Sequence, residues 1–123
     1  MVSDMINVLY VDDELHNLNA FKANFRRLFN VYTAESAIEA RKVLDGESID
    51  IIISDHLMPV TTGIDFLKSI VRDFPRPVRM LLTGYADANA VSDALNEGLI
   101  TKCIAKPWVL NDLQNEIEIA YDS

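Results

Sequence analysis

From position 49 to 59 the chain reads IDIIISDHLMP, and the three consecutive isoleucines inside it restrict the fold more than any other stretch. Branching at Cβ favours extended backbone, and a run without a polar position leaves no face for water. The segment therefore predicts a strand covered on both faces, as the strands of a parallel sheet are. Asp55 then stands at the carboxyl end of that strand. Open α/β sheets collect their ligands outside those ends.

The rest of the chain repeats this pattern. Residues 5–11 (MINVLYV) predict a first strand running into Asp12, Asp13 and Glu14. Leu15, Leu18, Phe21, Phe25, Leu28 and Phe29 then fall on one face of a helix. Residues 30–34 (NVYTA) form a second strand, Ser36 with Glu39 a capping box, and Gly46 a helix stop. After the isoleucine strand, a third helix carries Ile64, Leu67, Ile70, Val71 and Phe74 and ends before Pro75 and Pro77. Residues 78–82 (VRMLL) give a fourth strand closed by Thr83 and Gly84, and Asp87 caps a helix that Gly98 ends. Residues 99–104 give a fifth strand, and a last helix carries Leu110, Leu113, Ile117, Ala120 and Tyr121, with Asn111 and Gln114 as its cap pair. Parallel neighbours need crossover connections, so this alternation predicts one doubly wound α/β domain over residues 1–123, with helices on both faces.

Composition narrows the function. Nineteen acidic against eleven basic residues give a formal charge of −8, and the basic residues are scattered. That argues against a nucleic-acid surface, which needs clustered Lys and Arg to neutralise phosphates. The single cysteine, Cys103, cannot form an internal disulfide, and neither a leader nor an apolar run of about 18 residues is present. A soluble, cytoplasmic chain without membrane contact is expected; the composition also suits a domain cut from a longer protein.

Parallel strands end on one edge, which brings Asp12 and Asp13, Asp55, Thr83 and Lys106 to one crevice. Crowded carboxylates repel one another unless a cation shares the site. Mg²⁺ suits an all-oxygen cluster, taking one or two carboxylates together with waters and a phosphate oxygen. Lys106 and Thr83 add a point charge and a hydroxyl, which can stabilise a phosphoryl group in transfer. One carboxylate would then be the nucleophile, forming an aspartyl phosphate.

At Asp12-Asp13, at Asp55 followed by Met58-Pro59 and Gly63, at Thr83-Gly84 and at Lys106-Pro107, the sequence resembles the receiver domain of two-component response regulators. The resemblance runs the whole length of the chain. It implies a flavodoxin-like sheet of order 2-1-3-4-5. It also implies Asp55 as phosphoacceptor, Mg²⁺ held by Asp13, Asp55 and the backbone carbonyl of Leu57, and Asp12 holding a metal-bound water. Lys106 would pair with the phosphoryl group, Thr83 would swing toward it, and the Lys106–Pro107 bond would be cis. The implied partners are a histidine kinase or histidine phosphotransfer domain as donor, and a downstream protein or attached output domain. The fourth helix, fifth strand and fifth helix would form the surface that is read, and a homodimer could form through it. Such a domain acts only on itself and is no enzyme toward other substrates.

Several positions qualify this reading. Relatives carry an aromatic ring three residues before the strand-five lysine, where this chain has Cys103. His56 reads as a variable loop residue, because an all-oxygen site has no use for imidazole. Tyr85 and Trp108 read equally as partner contacts or as packing. Alone, Asp12-Asp13-Glu14 is most simply a helix cap. Two other functions compete: a haloacid-dehalogenase-type phosphatase using Asp12, and a degenerate receiver serving as a static docking module.

Overall fold

A computed structural model of the chain describes residues 5–84 and 88–122. The strands are β1 (Asn7–Val11), β2 (Asn30–Ala34), β3 (Ile51–Asp55), β4 (Val78–Thr83) and β5 (Lys102–Ala105). Between and after them lie α1 (Leu15–Phe25), α2 (Ala37–Gly46), α3 (Gly63–Ile70), α4 (Ala88–Asn96) and α5 (Leu110–Asp122). All pairings are parallel and the order is β2-β1-β3-β4-β5, the flavodoxin-like arrangement expected.

The central isoleucines are fully buried, and the pleat divides them. Ile51 and Ile53 join Val8, Tyr10, Met80 and Leu82 against α1 and α5, while Ile52 joins Leu9, Val11 and Leu81 against α2, α3 and α4. The two layers differ in kind. Under α1 the rings of Tyr10 and Phe21 stack at 4.5 Å, Phe21 and Phe25 follow at 4.7 Å, and Trp108 closes on Phe25 at 5.4 Å. Trp108 is therefore a packing residue. On the opposite face α4 buries only Val91 and Ala94.

The helix starts follow local chemistry. Ser36 Oγ accepts the Glu39 N–H at 3.2 Å, the expected cap, and Thr62 Oγ1 accepts the Asp65 N–H at 3.1 Å, a cap the apolar periodicity did not reveal. Asn111 lies inside the first turn of α5, which opens with the Leu113 N–H on the Val109 carbonyl at 3.0 Å, so no Asn111–Gln114 cap pair forms. β1 begins at Asn7 rather than at residue 5, and α1 ends at Phe25, before Leu28.

The fifth strand is also shorter than expected. Leu99 and Ile100 are buried but precede β5, and their N–H groups bond to the Ala94 carbonyl at 3.0 and 3.4 Å. With Gly98 at φ 76°, they close the end of α4 as a helix stop and its hydrophobic follower do. The Asp87 cap and Tyr85 lie outside the described residues. Among the described residues no helix is long and apolar enough to cross a membrane.

Candidate functional site

The strand tips deliver the expected groups to one place. Asp12 follows β1, and its N–H bonds to the Ala34 carbonyl of β2 at 3.1 Å. Asp55 is the last residue of β3 and Thr83 the last of β4. Lys106 follows β5, its N–H donating to the Thr83 carbonyl at 2.9 Å, and the Lys106–Pro107 bond is cis. One carboxylate oxygen each from Asp12, Asp13 and Asp55 lie within 4.8 Å of one another. The Lys106 ammonium pairs directly with Asp55 Oδ1.

Gly63 sets the floor of the site. Its N–H donates to the His56 carbonyl at 2.8 Å, folding the β3–α3 loop back on the strand tip. A Cβ there would stand 2.4 Å from the Asp55 carbonyl oxygen and 2.8 Å from Leu81 Cδ1, so only glycine fits. Leu57, two residues after Asp55, exposes an apolar side chain in the same loop.

Asp12 is fully buried, and both its oxygens are engaged. Oδ1 accepts the Glu14 N–H at 3.0 Å, while Oδ2 accepts the Tyr10 hydroxyl at 2.6 Å and the Asn17 amide at 3.1 Å. The cap reading of this acidic run is not realised: Glu14 takes the N-cap position of α1 without a side-chain cap bond, and the Asp12 oxygen instead closes the turn just before the helix. Tyr10 and Asn17 were not among the expected site residues. The available clue was a tyrosine in a buried strand, whose hydroxyl needs an acceptor.

His56 lies in the β3–α3 loop as expected but is only 6% exposed, and its Nδ1 has no partner among the described residues. It stands outside the carboxylate cluster. Cys103 packs against the core layer shared by α2, α3 and α4, and burial pushes its thiol pKa up, which disfavours the reactive thiolate. No ring occupies that position.

Burial raises the Asp55 pKa above the ordinary range, Asp12 and Asp13 push the same way, and Lys106 only partly opposes them. The single ammonium leaves negative charge uncompensated. A hard divalent cation fits that donor set. A consequence follows for the metal-free protein. A carboxyl whose folded pKa is raised binds more protons folded than unfolded, so its contribution to stability is full below the ordinary aspartate range and is lost as pH rises through the folded value. In chelator, the wild type is expected to lose stability relative to Asp55→Asn as pH rises through that window. Parallel denaturant curves for the two proteins, showing a pH-independent difference, would contradict this.

Comparison with known proteins decides the family. The profile of the response regulator receiver domain matches residues 8–118. The chain belongs to the response regulator receiver domains. This receiver is 34% identical over 123 residues to the hydrogenase transcriptional regulatory protein HoxA of Cupriavidus necator, covering all of this chain and 26% of that protein. It is 35% identical to the HoxA protein of Bradyrhizobium diazoefficiens, covering 92% of this chain and 23% of the other. The chain thus spans about a quarter of the length of these relatives. A receiver domain protein from Clostridium thermocellum superposes with a TM-score of 0.88 at 30% identity, over 96% of this chain and 95% of that one. The signal receiver domain of an HD domain-containing protein from Pseudomonas fluorescens also gives a TM-score of 0.88, at 27% identity over 99% and 90% of the two chains.

Proposed function

We propose that this receiver accepts a phosphoryl group on Asp55 from a phosphohistidine, held by a histidine kinase or a histidine phosphotransfer domain, in a Mg²⁺-dependent transfer. The observation that carries this reading is the Lys106–Asp55 ion pair set inside a cluster of three carboxylates. An Asp55 carboxylate oxygen attacks phosphorus, the P–N bond breaks, and the electron pair leaves on the donor imidazole. Lys106 remains protonated and balances charge on the phosphoryl oxygens. Asp13, Asp55 and the Leu57 carbonyl would hold Mg²⁺, with Asp12 holding a water on it. When bound, the ion screens the repulsion between the carboxylates and the incoming phosphoryl group.

Asp12 is a poor rival nucleophile, since it is fully buried with hydrogen bonds on both oxygens. This disfavours a phosphatase of the haloacid-dehalogenase type. The chemistry is confined to the receiver itself, which makes the domain a switch rather than an enzyme, working in the cytoplasm. Its output would be read on the α4–β5–α5 face by a downstream protein, an attached output domain or a second copy. The transcriptional regulators among its relatives support an output of that kind. With Cys103 in place of a ring, displacement of α4 carries the message.

Incubation with Mg²⁺ and a small phosphodonor such as phosphoramidate is expected to add one phosphate per chain by mass spectrometry, and none once the metal is chelated. Repeated turnover of a phosphate ester, lost in Asp12→Asn and kept in Asp55→Asn, would overturn this reading. Unaltered protein with Mg²⁺ present would point to the static docking module instead.

A further inference from the structure

We infer that the Tyr10 hydroxyl, helped by the Asn17 amide, is a positioning group for the metal site, locking the Asp12 carboxylate in the orientation a cation-bound water needs. This inference rests on the Mg²⁺-dependent reading above. It also stands on geometry that the strand imposes. Residues two apart in a strand share a face, so Tyr10 and Asp12 project to the same side of β1. The Tyr10 ring is 2% exposed and stacked on Phe21 at 4.5 Å, which holds the ring in place. It meets Asp12 Oδ2 at 2.6 Å, and Asn17, in the first turn of α1, reaches the same oxygen at 3.1 Å.

Together with the Glu14 N–H on Oδ1, these donors tie both oxygens of Asp12 and fix its torsion. Asp13 lacks such enclosure, being partly exposed. The two acids thus differ in kind, one rigid and one free to adapt to a ligand. Hydrogen bonds to a metal's own ligands are typically worth about 10–100-fold in affinity, and Tyr10 acts one step further out, through Asp12 and its water, so a loss of about 3–10-fold follows. The ring itself is core, so Tyr10→Phe removes the hydroxyl while keeping the stack.

The test is a calorimetric Mg²⁺ titration of wild type, Tyr10→Phe, Asn17→Ala and the control Tyr32→Phe, whose hydroxyl instead meets Glu47 at 3.2 Å. Tyr10→Phe is expected to raise the dissociation constant about 3–10-fold, and Asn17→Ala to raise it in the same direction. Tyr32→Phe should bind as wild type. At saturating Mg²⁺ the phosphorylation rate of Tyr10→Phe should recover, which separates positioning from a general loss of fold. Should Tyr10→Phe prove unstable, Asn17→Ala carries the test. Wild-type affinity within about twofold for both variants overturns the inference alone. A wild type that binds no Mg²⁺ overturns both the inference and the reading beneath it.

Discussion

Asp55→Asn is expected to abolish phosphoryl incorporation, from one group per chain to none, in a protein that still folds. The amide nearly matches the carboxylate in shape, so the β3 tip and the Gly63 loop keep their packing. What it lacks is the anionic oxygen that attacks phosphorus and the charge that pairs with Lys106. The fold should tolerate the change, because burial and the neighbouring Asp12 and Asp13 disfavour the charged form of Asp55. Removal of that charge also weakens any bound cation, and a second variant separates the two causes. Asp13→Asn is expected to lower metal affinity yet regain phosphorylation at high Mg²⁺, whereas Asp55→Asn should stay unlabelled at any concentration. Equal labelling of Asp55→Asn and wild type by intact-mass measurement would show that the acceptor lies elsewhere.

Gly63→Ala should be the most damaging small substitution in the β3–α3 loop. The added methyl would stand 2.4 Å from a backbone carbonyl, and backbone yields less readily than the end of a side chain. Relief requires moving either the Asp55 carbonyl or the start of α3, against a cap and a packed core. Overpacking of this kind typically costs about 1–3 kcal/mol. A loss of that size should lower the melting temperature by several degrees, and phosphorylation should slow with it because the shifted carbonyl belongs to Asp55, the proposed acceptor. Gly46→Ala is the matched control. It ends α2 with nothing within 4 Å of the added carbon and without a left-handed φ, so melting should be unchanged or slightly raised. Similar melting temperatures for the two variants would refute the steric account.

The sheet was legible because its central strands carry unbroken apolar runs, and parallel strands leave few ways to connect them. Asp55, the acidic pair, Thr83 and Lys106 could be placed together because each stands at or just past the carboxyl end of its strand. Leu99 and Ile100 misled because a short apolar run reads equally as strand or as the follower of a helix stop. The burial of His56 was not legible, because a place in a loop says nothing of how deeply the loop is packed. Tyr10 and Asn17 stayed hidden because their role lies in two hydrogen bonds to one oxygen, a relation across strand and helix that no linear spacing encodes.

The unequal footing of the helices has a consequence for how such a domain can signal. α1 rests on a slab of interlocked rings, whereas α4 fully buries only Val91 and Ala94, with Ala90 partly buried beside them. Burying a valine side chain contributes about 1.5–3 kcal/mol, and an alanine less. A few hydrogen bonds redirected at the strand tips are comparable in size with that anchorage. If Asp55 is phosphorylated as proposed, this lightly moored helix is the element that a single covalent event would re-seat, with the aromatic slab behind the sheet as the fixed frame.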